Sequence, residues 1–258
     1  MRWTSCVASL TLICLSAVAR SQNSQVMQDD LAQRVQHLMD IEVGFEQMVP
    51  AGMSIDAKEV ARTGKSGKDL TVQYHIFVRG VSPHTLFKYI DWPVNADKPS
   101  IRLEGVSAGK DGLLTCAGRT PEQCGDPNKL DDPIEFTAVP MKGEPSRLGF
   151  ISSNIKIGLV VVPDPVEADD RGCTLKAIRL TKAFDLAYIS GTGYPPNTDV
   201  RYRVYSEMTS NFVIRSDGNG TIRVSVIPYP GKKKQGTAIV KIMDAKCSPE
   251  VSWEWGPI

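Results

Sequence analysis

The sequence is poor in histidine and has almost no net charge. His37, His75 and His84 are the only three in 258 residues, and the formal net charge is +1. Near-neutrality removes charge as a reason to expect nucleic acid or an anionic membrane as a partner. Three scattered histidines supply no zinc knuckle, and no Cys-x-x-Cys pair occurs. Gly-x-Ser-x-Gly, the strained turn that exposes a hydrolase serine, is missing too. Ser82 and His84 in "VSPHTL" stand two apart, a spacing that points both side chains the same way without aiming one at the other. His75 falls on the solvent side of a strand-like stretch. Gly64-Lys65-Ser66 matches the end of a phosphate-binding loop, but Glu59 occupies the position where that loop requires glycine. No catalytic residue and no metal ligand is assigned, and the balance leans away from an enzyme.

Long apolar runs are confined to the N-terminus. "MRWTSCVASLTLICLSAVARSQ" has a basic start at Arg2, a short apolar stretch, then Ala17-Val18-Ala19. Small residues at both cleavage-determining positions predict a signal peptide over 1–19, removed after Ala19. The run is short for a bilayer span of about 20 residues. No membrane span is therefore expected after removal, and the destination is a secreted, periplasmic or cell-surface one. Removal takes away one arginine and no acid, leaving 29 of each sign. Cys6 and Cys14 leave with it. Cys116, Cys124, Cys173 and Cys247 remain, an even count that reads as disulfides in an exported chain. Of the three pairings, Cys116–Cys124 across "CAGRTPEQC" and Cys173–Cys247 across the C-terminal part are preferred.

What remains alternates between two periodicities. In "QVMQDDLAQRVQHLMDIEV", Met27, Leu31, Val35 and Leu38 share one helical face. Residues 20–66 are therefore expected to form a helix and a linker, the helix covering the next domain or docking a partner. From Lys68 the period becomes two: Val72, Tyr74, Ile76 and Val78 alternate with Thr71, Gln73, His75 and Phe77. Further strand-length segments follow, with 17 prolines and 21 glycines scattered along the chain and no helical stretch between them. Without crossover helices the strands must pair antiparallel. The fold class is thus mainly β: two antiparallel β-sandwich (Ig-like) domains, 67–163 and 173–258, with a short N-terminal α-helix and a linker over 164–172.

Seven short strands after Cys173 fit an immunoglobulin-like sandwich. "ISGTGYPPNTDVRYRVYS" and "DGNGTIRVSVIPYPGKKKQGTAIVKIMD" together resemble the Ig-like modules of exported bacterial proteins. The shared pattern is a Gly-x-Gly-aromatic-x-Pro turn, an Asp-Gly-x-Gly hairpin (here within 216–221) and a closing Gly-Thr-Ala strand. The resemblance covers about 55 of 258 residues. It implies a fold and a use as spacer, adhesion or binding module, and it carries no catalytic residue.

Three surface features invite function. Trp253 and Trp255 in "VSWEWG" share a face with Val251, opposite Ser252 and Glu254. An apolar neighbour on that face predicts core, with a ligand platform as the alternative. Lys232, Lys233 and Lys234 in "GKKKQG" form a basic tip, read as a solvated turn or as a contact for an acidic polysaccharide or protein. Acids gather at Asp126, Asp131 and Asp132 and again at Asp164, Glu167, Asp169 and Asp170. Calcium favours such loops, but EF-hand spacing is absent, so solvated loops are preferred and no cofactor is assigned. The expected function is a non-catalytic binding, adhesion or scaffolding protein of the cell envelope or secreted medium, its partner a protein or polysaccharide. The alternatives are a carbohydrate-active protein, either a glycan-binding module or a glycoside hydrolase, and an assembly protein using the N-terminal helix.

Overall fold

A computed structural model describes residues 28–67, 69–94, 96–116 and 132–257. It divides into two compact units, Met1–Ile41 and Glu42–Ile258. The described part of the first is helix: α1 spans residues 28–47 and so continues into the second unit. Within the first unit, Gln36 Nε2 donates to Asp40 Oδ1 at 2.7 Å, one turn along. Among the described residues no helix is long and apolar enough to cross a membrane.

The second unit is mainly β, and every described strand pairing is antiparallel. Its first eight strands are β1 (Ser54–Thr63), β2 (Thr71–Arg79), β3 (Leu86–Trp92), β4 (Ser100–Ala108), β5 (Leu114–Thr115), β6 (Glu135–Ala138), β7 (Ser146–Ile151) and β8 (Lys156–Val161). They form sheets ordered β1-β2-β6 and β5-β4-β3-β7-β8. Val72, Tyr74, Ile76 and Val78 of β2 are buried, as their alternation predicts, and join Phe87, Leu148, Phe150 and Ile157 of the other sheet in one apolar cluster. The remaining strands are β9 (Val166–Asp170), β10 (Cys173–Arg179), β11 (Ala187–Thr192), β12 (Asp199–Tyr205), β13 (Thr209–Arg215), β14 (Ile222–Val226), β15 (Gly236–Ile242) and β16 (Glu250–Trp255). Their sheets, β14-β11-β10-β9 and β13-β12-β15-β16, share a second cluster that includes Leu175, Ile189, Val200, Val240 and Trp253.

Three sequence expectations need correction. Residues 54–63, assigned to the helix-and-linker segment, are β1. Only Ile55 of that strand is fully buried, so its composition hides a strand with one solvated face. The glycine-bearing stretch after it is the hairpin turn to β2, where Gly64 has φ +82° and a Cβ would lie 2.1 Å from the Asp69 carbonyl oxygen. The linker expected over 164–172 contains β9, paired with β10 across Arg171-Gly172. Val166 and Ala168 turn to the core, and Glu167 and Asp169 turn to solvent. "SDGNGT" is not a hairpin between paired strands, because β13 and β14 belong to different sheets. It is an arch held by Asp217, whose Oδ1 accepts from the amides of Asn219 and Thr221, both at 2.9 Å.

Cys173 and Cys247 are disulfide-bonded as expected, with Cα atoms 6.2 Å apart and 74 residues between them in sequence. Closing a loop of that length contributes about 4 kcal/mol on the chain-entropy account. Cys116 is also disulfide-bonded. Its expected partner Cys124 lies outside the described residues, as do Asp126, Asp131 and the expected signal segment 1–19.

The end of α1 is seated on the β7–β8 pair. Gly149 and Gly158 stand directly opposite each other there. A Cβ on Gly158 would lie 3.1 Å from Met48 Cβ and 3.3 Å from Phe45 Cδ1, so the missing side chain is what lets this end approach the sheet. Phe45 packs edge-on against Trp92 at 5.9 Å. Beside it Arg147 of β7 donates from Nε to Glu42 Oε1 and from Nη1 to the Trp92 carbonyl at 3.1 Å. Both charged side chains are essentially inaccessible to solvent.

A buried charge stripped of its partner is far costlier than the pair itself. Glu42→Ala should therefore lower unfolding stability by about 3–5 kcal/mol, and the double variant Glu42→Leu/Arg147→Met should recover most of that loss. Urea denaturation of the two variants beside the parent chain measures both.

Candidate interaction surface

The sequence of β12, "DVRYRVY", sends Val200, Tyr202 and Val204 into the core and leaves Asp199, Arg201, Arg203 and Tyr205 on the outer face. β13 pairs with it, Arg201 opposite Val213, Tyr202 opposite Phe212 and Arg203 opposite Asn211. No further strand follows β13, so it is the edge of its sheet. Protected edges are usually short, bulged, or marked by lysine or proline. β13 has seven residues, "TSNFVIR", with neither lysine nor proline and no irregularity in its register with β12.

Apolar side chains are exposed along this edge. Val213 is 61% exposed, Tyr229 53% and Phe212 47%, and Met208, Ile227 and Met243 are exposed as well. The cause is topological. The arch carries the chain from β13 to β14 in the facing sheet, and the two edges leave a groove between them. That groove, about 130 Å³, is lined by Met208, Ser210, Phe212, Val226, Ile227 and Tyr229 among others. The Phe212 ring stacks on Tyr202 at 5.3 Å and forms its floor. A wider hollow of about 460 Å³ lies on the outer face, over Arg201, Arg203, Asn211, Val213 and Met243.

Charge along this edge is mostly positive. Arg203 Nε donates to Asn211 Oδ1 at 2.7 Å, and its guanidinium lies 5.7 Å from the Tyr205 ring centre. The acids nearby are engaged: Glu207 with Lys233 at 2.8 Å, Asp199 with Arg215 at 3.5 Å, and Asp217 with Arg223 at 2.9 Å. Hydrogen bonds from Thr221, Asn219 and Arg223 hold the Asp217 carboxyl below its ordinary range. Arg201, Lys232 and Lys234 form no ion pair among the described residues. The expected basic tip thus sits at one end of the edge, where the Glu207 amide also bonds the Tyr229 carbonyl at 3.4 Å.

The tryptophans are elsewhere. Trp253 and Trp255 are both buried, Trp253 stacked on Phe184 at 5.4 Å with its Nε1 donating to the Phe184 carbonyl at 3.0 Å. They fill the far end of the sheet that β13 begins, and in this position neither offers a flat face to a ligand. The acidic stretch after Asp164 is likewise occupied by the protein's own donors. Ser66 Oγ at 2.8 Å and the Gly67 amide at 2.9 Å bond the Asp164 carboxylate, and Glu167 pairs with Lys176 at 3.0 Å. Among the described residues no group of three or more His, Cys, Asp or Glu side chains is placed to hold a metal ion.

A partly buried polar cluster, not anticipated from sequence, surrounds Glu46. Its Oε2 lies 3.6 Å from Arg223 Nε of β14, and Tyr188 of β11 is a neighbour. Burial pushes the Glu46 carboxyl up from its ordinary value, against the pull of Arg223. Burial also pushes the Tyr188 phenol up. Each acid here faces an arginine, Glu42 facing Arg147 and Glu46 facing Arg223, so the cluster reads as a structural seam. Its sequence signal was Glu42 and Glu46, one helical turn apart, at the end of an apolar stripe. No protein-family model matches the chain, and no curated protein matches it.

Two predictions follow from burial. In a Trp3→Phe/Trp92→Phe chain, emission from the remaining tryptophans should be blue-shifted and poorly quenched by acrylamide; red-shifted, readily quenched emission would contradict the packing. For Glu46, a raised folded pKa means that the native state holds more protons than the unfolded chain just above the ordinary value of 4.5. Its stability contribution is complete below that value and falls as pH rises through the folded pKa. Parent stability relative to Glu46→Gln should therefore fall with rising pH from about 4.5 and then level off, measured by urea unfolding across a pH series.

Proposed function

We propose that this chain is an exported, non-catalytic binding or scaffolding protein of the cell envelope or the secreted medium, built from two Ig-like β-sandwiches. Two pairs of sheets, each pair around its own apolar cluster, support the sandwich reading. Export is supported by the N-terminal residues 1–19 and by the Cys173–Cys247 disulfide. The observation that carries the binding reading is the exposed apolar edge at Phe212 and Val213. A contiguous apolar patch on a sheet edge is an aggregation liability that soluble proteins tend to cover, and one left open points to a partner. The glycan-platform alternative loses its support with the burial of Trp253 and Trp255.

The test is a photoreactive phenylalanine analogue at Val213, in cells that export the full chain, compared with the same analogue at Val60. Val60 is also an exposed apolar residue, on β1. Discrete adducts at Val213 and none at Val60 are expected. No adduct at Val213, or the same adducts at both, would overturn the reading.

A further inference from the structure

The partner's chemistry can be read from three features of β13, granted that its edge is a binding surface as proposed above. The first is backbone. Alternate residues of an edge strand turn their N–H and C=O groups away from the sheet, and β12 satisfies only the inward set. The unbroken register from Thr209 to Arg215 keeps that outward set evenly spaced. The second is the groove between the two sheets. A strand laid beside β13 would drop every other side chain over Phe212, toward Ile227 and Tyr229. The third is the outer face, where the intervening side chains would meet Val213, Arg201 and Arg203, with Lys233, paired with Glu207, beyond one end.

We infer that the free edge of β13 takes an extended protein segment with apolar side chains on one face and acidic side chains on the other, added as a fifth strand to the β13-β12-β15-β16 sheet. Three other edges remain in these two sheets, β14, β16 and β9; at β14 the one charged side chain, Arg223, is already engaged by Glu46 and Asp217. β16 presents Glu250 and Glu254 to solvent, and β9 presents Glu167 and Asp169. Glu250 and Glu167 are paired with Lys241 and Lys176, which leaves Glu254 and Asp169 to oppose an acidic strand there. Arg201, with no ion pair among the described residues, attracts one at β13; charge therefore favours this edge and this partner. An acidic polysaccharide would use the arginines but would leave the backbone edge and the apolar groove unused, so a polypeptide is the better fit.

The test uses the full chain with its disulfides intact and three fluorescent peptides of about eight residues, a strand's usual length. One alternates valine with glutamate, one alternates valine with lysine, and one is the first with alternate backbone amides N-methylated. The glutamate peptide should bind at least about tenfold more tightly than the other two. Its binding should weaken with salt and shift the amide resonances of residues 209–215. Arg201→Glu, at an outward-facing position, should weaken the glutamate peptide and strengthen the lysine peptide with no change in thermal unfolding. Equal binding of glutamate and lysine peptides, undiminished binding of the N-methylated peptide, or shifts away from 209–215 would each overturn the inference. So would polyguluronate displacing the peptide from the Arg201 face while residues 209–215 remain unshifted. A concentration-dependent mass abolished by Val213→Lys would assign the edge to a second copy and overturn it equally. If the Val213 adducts form but the peptide series fails, the partner class falls and the binding reading stands. Failure of both removes both.

Discussion

The contact between Glu42 and Arg147 is the constraint on which much else rests. Two groups with almost no solvent access are held together by one hydrogen bond, with Glu42 Oε2 and Arg147 Nη2 left without a hydrogen-bond partner, so separating them would be costly. The pair therefore fixes the end of α1 on β7 to within hydrogen-bonding tolerance. From that anchor the next turn presents Phe45 to Trp92 and Glu46 to Arg223. Arg223 in turn holds Asp217, whose carboxylate closes the arch between β13 and β14. A polar relay thus runs from the first apolar cluster, through one helical turn, to the corner of the second. Gly158 allows it sterically, since a side chain there would press on Phe45 and Met48, while Gly149 makes room for Ile90 of β3.

Arg62 and Asp164 join the two sets of strands at another place. Arg62 bonds the Pro163 carbonyl at 3.1 Å while pairing with Glu59, and Asp164 accepts from Ser66 and Gly67. Its backbone carbonyl also takes the Gly143 amide at 2.7 Å, and the Gly143 carbonyl takes the Arg179 amide at the same distance. These bonds use backbone groups that a solvated linker would give to water. The segment around 164 is therefore a seam, and its acids serve that seam and the outer face of β9.

Legibility in the sequence followed burial. Wherever one face of a strand is apolar, as in β2, β12 and β16, period-two alternation located the strand and its inward side chains. It failed for β1 and β9, where a single fully buried residue carries each strand and the exposed positions are charged. The two-residue β5 gives no periodicity to read. The Cys173–Cys247 bridge followed from cysteine count and spacing. The Glu42–Arg147 pair lies 105 residues apart in sequence, and no local pattern encodes such a contact. The β13 edge was invisible for a similar reason. "NFVIRSD" reads as a strand, but its place at the margin depends on which sheet the next strand joins.

That placement gives one sheet two unlike ends. At β16 the apolar side chains point only inward: Val251, Trp253 and Trp255 are buried, with Glu250, Ser252 and Glu254 outside. Phe184 lies between Trp253 and the Arg179 guanidinium, which is 4.4 Å from its ring centre, so this end is closed by a stack of rings and a cation. At β13 the same sheet stops with Phe212 resting on Tyr202 and about half exposed to solvent. Both ends use aromatic residues, yet only one covers them. A closed end with acids outside resists pairing, and an open end with arginines outside invites it. The asymmetry lies in side chains that share one backbone plan, which is why function here is better sought at the sheet's margin than among its tryptophans.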